Sequence, residues 1–193
     1  MIPVLVEGDT DVPVVRRLFE FIGLETGTIY GLRGKSWLDQ RLTAYNRAAR
    51  HRQWFALRDL NGDAACAPSL VAEILPERSR GMCLRIAVRA MESWLLADRQ
   101  RMAHFLRVPI ARMPGDPDGV DNPKLEVVNL ARRSRKRDIR VDMVPRPGTT
   151  ARVGPAYSAR IIEFAVGVWR PDIAQESSPS LARCIAALQR LRG

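Results

Sequence analysis

Cysteine is scarce in this chain: Cys66, Cys83 and Cys184 are the three in 193 residues, far apart and without a CxxC pair. That argues against a zinc knuckle and leaves reduced, mostly buried thiols in a reducing compartment. Histidine is scarcer still, with only His51 and His104. Two imidazoles do not make a His-based metal centre, so any metal would be held by oxygen, which points to Mg²⁺ or Mn²⁺. No apolar run reaches the roughly 18 residues that span a bilayer, so no membrane partner is expected. The opening residues lack a basic stretch and meet an acid at Glu7, unlike a signal peptide, so a cytoplasmic location is expected. No GxxxxGK[ST] element is present. ATP binding by a P-loop is excluded, and any ATPase would be a separate partner protein.

What the chain has in excess is positive charge. Thirty-one Lys and Arg stand against 21 Asp and Glu, a net charge of +10. A polyanionic partner follows, nucleic acid first (DNA or RNA). Only Lys35, Lys124 and Lys136 are lysine, an arginine bias that fits a high-GC genome as readily as a selected surface. Apolar residues make up 46%, enough to bury a core.

Along the chain, strand and helix patterns alternate. Residues 3–6 read as a buried strand ending at Glu7, and Val14, Val15, Leu18, Phe19 and Ile22 recur at helical spacing before Gly23. Further strands are expected at 27–32, 54–57 and 82–88, and helices at 36–50 and 68–75. A helical start is expected at 91–98. This order implies an α/β fold, a mostly parallel sheet with helices on its faces. After about residue 107 the pattern changes. A Pro-rich loop (109–123), a helix (123–133), the basic run 132–137 and a Pro/Gly loop (145–154) precede two helices, 157–169 and 179–191. The expected organisation is a catalytic α/β domain, 1–107, and a loop-rich helical extension, 108–193, packed on it.

The acids stand where strands end. Glu7 follows the first strand, Asp59 the third, and Glu92 lies just past the fourth. In an open parallel sheet those carboxyl ends share one edge, where ligands bind. Converging carboxylates repel one another unless a cation sits among them, and Mg²⁺ leaves room for phosphate oxygens. The same residues also suit turns and caps: Asp9 and Asp11 at a helix start, and Asn61-Gly62 as a turn after Asp59.

Glu7-Gly8 after one strand and Asp59-x-Asn61 after a later one resemble the Toprim pattern. That pattern is shared by topoisomerases, bacterial primases, ribosomal RNA maturases and nucleases of the OLD (overcoming lysogenization defect) family. The chain is more similar still to a family of small bacterial Toprim-like proteins. The segments that carry this likeness are Val6-Glu7-Gly8-x-x-Asp11, Arg58-Asp59, Met91-Glu92-Ser93-Trp94-Leu95-Leu96-Ala97-Asp98, Asn122-Pro123-Lys124, Val153-Gly154-Pro155-Ala156-Tyr157 and Ser178-Pro179-Ser180-Leu181. They spread over both halves of the chain.

The resemblance implies a Toprim-like fold and a metal-dependent nuclease, in bacterial defence or DNA maintenance beside an ATPase. Glu7 would be the general acid/base or a metal ligand, Asp59 the central ligand, and Glu92 a further ligand or orienting base. Asp11 would serve a second metal. Asn61 stands where the pattern has a second Asp, a neutral oxygen in place of a charge, and Asp63 is placed to compensate. Catalytic roles fall to Glu7, Asp59 and Glu92.

For nucleic-acid contact the candidates are Arg33, Lys35, Arg58, Lys124, Arg133 and Arg135. Arg58 reads equally as a group that neutralises transition-state charge and as a structural ion pair. Trp94 reads as core rather than as a stacking platform, and Asp98 as a surface acid at a helix end. Tyr30, Tyr45 and Tyr157 lack a nucleophile's context. Two other readings stay open. One is a non-catalytic nucleic-acid-binding module, motivated by Asn61; the other is a small-molecule phosphatase or phosphotransferase.

Overall fold

A computed structural model describes residues 1–192. Strands β1 (Ile2–Val6), β2 (Thr26–Gly31), β3 (Trp54–Asp59) and β4 (Met82–Ala87) form one sheet in the order β2-β1-β3-β4. All three pairings are parallel. Parallel neighbours need long crossovers, and helices α1 (Asp11–Ile22), α2 (Lys35–Ala48) and α3 (Ala67–Ile74) supply them.

The strand pleat sends alternate residues to opposite faces. Val4, Val6, Phe55 and Leu57 pack with Val14, Val15, Leu18 and Phe19 of α1. Leu5, Ala56, Leu84 and Ile86 pack with Leu38 and Leu42 of α2 and Leu70 of α3. Sandwiched between two helical layers, β1 is apolar and buried at every position, as parallel strands covered on both faces are.

The remaining helices are α4 (Met91–Ala97), α5 (Arg99–Leu106), α6 (Pro123–Arg132), α7 (Arg137–Met143), α8 (Tyr157–Gly167), α9 (Pro171–Ala174) and α10 (Pro179–Arg192), with a 3-10 turn at Ile110–Arg112. Their apolar residues, among them Trp94, Val127, Ile161, Phe164, Trp169 and Leu181, join the core on the α1 side of the sheet. One core therefore runs from the sheet through the residues beyond 107.

Some local features differ from the sequence expectation. Helix α7 lies just past the basic run 132–137, where no element was expected, because Ile139 and Met143, four apart, bury one side of seven residues. Asp98 is fully buried rather than at the surface. It caps α5 through the amide of Arg101 and accepts from the Arg170 backbone and guanidinium at 2.7–3.1 Å. Cys83 and Cys184 are buried, whereas Cys66 is an exposed free thiol.

Candidate active site

The chain runs from β1 to β2 on one side, then crosses back to β3 on the other. The strand order therefore switches between β1 and β3, which opens a crevice at their carboxyl ends. Glu7 directly follows β1, and Asp59 closes β3.

Hydrogen bonds tie the strand ends together. The Asp11 Oδ2 accepts the amides of Glu7 and Gly8 at 3.1 and 2.9 Å, so this acid, in the first turn of α1, folds the β1–α1 turn back on itself. Thr10 occupies the cap position without a side-chain bond. Glu7 reaches across to β3, where its Oε1 accepts the Asp59 amide at 2.8 Å. The Asp59 Oδ1 accepts the Met91 amide at 2.9 Å, at the start of α4. Glu92, one residue on, is 2% exposed. Its Oε1 accepts from Tyr157 Oη at 3.2 Å and lies 3.5 Å from Lys124 Nζ. Among the described residues, the second oxygens of Glu7, Asp59 and Glu92 meet no side-chain or backbone donor.

Glu7, Asp59, Asn61 and Glu92 line one cleft of about 650 Å³, together with Arg89, Lys124 and Arg152. Asn61 sits with φ 51° and Gly62 with φ 80°, so the Asn-Gly turn expected after Asp59 forms. The turn is held by the Asn61 amide donating to the Arg89 carbonyl at 2.8 Å. Asn61 is thus both a turn residue and part of the cleft wall.

Crowding of acids shows in their protonation. Burial first, then the charges of Asp11, Glu92 and Glu7, holds the Asp59 carboxyl well above the usual range. Burial pushes Asp11 up to about 7; the Gly8 amide opposes the shift, and the Glu7 and Glu92 charges add to it. Glu7 is also raised, by burial, against the Asp59 amide and the Arg58 cation. Burial and the Glu92 charge push the Tyr157 hydroxyl up, so it remains a proton donor to Glu92.

A second network backs the first. Arg58, 2% exposed, donates to both Asp39 oxygens at 3.0 Å and to Asp63 Oδ2 at 2.7 Å, and lies 3.3 Å from Glu7 Oε1. It also donates to the Asp59 carbonyl. Burial works against its charge, and the Asp39 and Asp63 hydrogen bonds with the Glu7 charge more than offset that. Arg58 holds the ion-pair position of its two readings: its guanidinium is closed off from a phosphate in the cleft. Asp63 does not join the carboxylates either. Its Oδ1 takes Lys35 Nζ at 2.6 Å and its Oδ2 takes Arg58, so Lys35 is drawn to this network as well. These hydrogen bonds hold the Asp63 carboxyl below its usual range against the push of burial.

Of the other basic candidates, Lys124 lines the cleft, whereas Arg33 stacks on Trp37 at 5.8 Å. Arg133, just past α6, and Arg135 lie outside the cleft lining. Sequence reasoning missed Asp39, Arg89 and Arg152, and named Tyr157 only as part of a segment that carries the family likeness, without a nucleophile's context. Arg89 alone had a legible signal, three residues before Glu92 at the end of a strand. Asp39 and Arg152 are brought in by helix docking and a long loop.

The donor set fits Mg²⁺ or Mn²⁺ in its chemistry: carboxylate oxygens, mutually repelling, each with an oxygen facing no protein donor. Among the described residues, no three Asp, Glu, His or Cys side chains already stand together as a ligand group. Asp59 and Glu92 would hold the ion with their free oxygens, with the free oxygen of Glu7 beside them for a further ligand or an acid/base. Comparison with protein-family models, with curated proteins and with solved structures returns no match.

Proposed function

We propose that this chain is a Toprim-like, Mg²⁺- or Mn²⁺-dependent enzyme that hydrolyses nucleic-acid phosphodiesters. The observation that carries the reading is the grouping of Glu7, Asp59 and Glu92 with Lys124 and Arg152 in one cleft at the strand switch. A bound metal supplies charge at the phosphoryl oxygens and lowers the pKa of a water. The protein side chains do the rest. Lys124 and Arg152 neutralise the entering phosphate. Asp59, fixed by the Met91 amide, and Glu92, fixed by Tyr157, present oxygens with little freedom to lose. Glu7, raised by burial and with one oxygen free, is the group placed to take a proton. Arg58 positions Glu7 and Asp59 from behind. A defence role and an ATPase partner belong to the family resemblance alone.

The cleft volume favours a second reading. About 650 Å³ is the scale of small-molecule sites, so a phosphorylated metabolite is the alternative substrate. Incubation of oligonucleotides and of simple phosphate monoesters with Mn²⁺, Mg²⁺ or EDTA separates the two. The proposal expects oligonucleotide cleavage with metal, lost in Asp59→Ala, together with loss of Mn²⁺ binding in calorimetry. Monoester turnover without oligonucleotide cleavage would favour the small-molecule reading. Unchanged Mn²⁺ binding in Asp59→Ala would remove the site.

A further inference from the structure

Residues 132–146 hold seven Lys and Arg against two acids. Both acids are engaged elsewhere: Asp138 and Asp142 pair with Arg160 of α8 at 3.4 and 2.7 Å. Among the described residues, none of the seven basic side chains is ion-paired. Helix α7 sorts its charges by face. Asp138 and Asp142 turn to α8, while Arg137, Arg140, Val141 and Val144 fall at helical spacing on another side. With Arg132 and Arg146 they line a groove of about 450 Å³ that contains no acid.

Two segments join this groove to the carboxylate cleft. Lys124 at the start of α6 lines the cleft, and Arg132 at its end lines the groove. Eight residues of helix separate them, about 12 Å at 1.5 Å per residue. The loop 145–152 makes the same connection, with Arg146 in the groove, Arg152 in the cleft and no acid between. A second arginine-lined groove, with Arg47, Arg50, Arg78 and Arg80, contains Glu77 and adjoins the chain where it enters β3 and β4. That is the end of the sheet opposite the carboxylates.

We propose that the Arg132–Arg137–Arg140–Arg146 groove anchors the phosphodiester backbone of the strand whose scissile bond lies in the cleft. The inference rests on the nucleic-acid reading of the cleft. The phosphates of one strand recur about every 3.4 Å of duplex axis, so a separation of about 12 Å spans at most three or four of them. Guanidinium forks match phosphate oxygens without reading bases. The anchor is therefore sequence-independent, and a dinucleotide fills the cleft without reaching it.

The test compares the triple variant Arg132→Gln/Arg137→Gln/Arg146→Gln with the equal-charge control Arg47→Gln/Arg78→Gln/Arg80→Gln. Binding of a labelled 20-mer, single- or double-stranded, is followed by anisotropy in EDTA across a salt series. The groove variant should lose about tenfold or more at low salt, and its log–log salt slope should flatten by about two to three. The control should change far less. With Mn²⁺, the groove variant should show a raised KM on the 20-mer, unchanged kcat, and normal hydrolysis of a dinucleotide. Equal losses in both variants would mean diffuse charge and overturn the anchor. So would an unaffected groove variant, an equal KM loss on the dinucleotide, or wild-type binding to phosphatidylserine vesicles but not to the 20-mer. Groove-dependent binding without metal-dependent cleavage would leave the anchor standing and overturn the hydrolytic reading.

Discussion

Asp59 and Asp11 show how one side chain can be both scaffold and strain. Each accepts backbone amides that shape the crevice, yet each is held protonated more readily than an ordinary Asp. A carboxyl raised in the folded state keeps a proton that the unfolded chain has already released. Its stabilising contribution is complete below the unfolded pKa and fades as pH rises through the folded one. For Asp11 that window runs from 3.8 to about 7. In EDTA, then, the protein should lose stability between about pH 4 and pH 7, by a few kcal/mol at most. Asp59→Asn keeps an acceptor for the Met91 amide and removes the charge, so it should raise the urea midpoint at pH 8 and flatten the pH dependence. Saturating Mn²⁺ should raise the wild-type midpoint at pH 8 and leave Asp59→Asn nearly unmoved. A wild type more stable at pH 8 than at pH 5 in EDTA would contradict the repulsion that motivates the metal.

At the scale of elements, side-chain contacts fix how the helices meet the sheet. Asp98 joins the α4–α5 junction to α9 through Arg170. The two partners are not equivalent, because Asp98 is fully buried and the Arg170 side chain is 27% exposed. Arg170→Ala leaves a buried charge unpaired and should cost about 3–5 kcal/mol. Asp98→Ala frees an arginine that can return to water and should cost less, about 1–3 kcal/mol, for the cap and the hydrogen bonds. Chemical denaturation of both variants checks the order, and equal or reversed losses would refute it. Gly154 is a second such point. A Cβ there would collide with the backbone at Asp142 and Met143, the end of α7. Gly154→Ala should displace the start of α8 and with it Tyr157. The expected reading is a loss of about 1–3 kcal/mol together with weaker Mn²⁺ binding through Glu92, whereas intact metal affinity would show that Tyr157 does not position that acid.

Over the whole molecule, the absence of a core boundary near residue 107 matters most. Trp94, Leu95 and Phe19 share one apolar cluster with Ile161, Phe164 and Leu181. Trp94 Nε1 donates to Ser180 Oγ at 2.7 Å, and Asp118 pins the Pro-rich loop to Ser178 and Ser180 at 2.6 and 2.8 Å. Calorimetry should therefore give one cooperative transition, with van't Hoff and calorimetric enthalpies equal. Two resolved transitions would show that the segments before and after residue 107 are separate units after all.

The sequence by itself was enough for the parallel α/β plan, since buried apolar runs alternating with amphipathic ones allow few other arrangements. It also placed Glu7 and Asp59 at strand ends and Glu92 just past another, because position near the end of a parallel strand is a local property that topology turns into proximity. What it left undecided were the partners. Arg58 beside Asp59 read equally as catalytic or structural, and only the docking of α2, which brings Asp39, closed it off from the cleft. Asp98 read as a surface acid because nothing local announces Arg170, 72 residues away. Asp63, two residues past Asn61, was drawn to Lys35 and Arg58 rather than to the other carboxylates. Strand ends are fixed by backbone hydrogen bonding between neighbours, whereas the partner of a long charged side chain is chosen by whichever distant element packs beside it, and only the tertiary structure makes that choice.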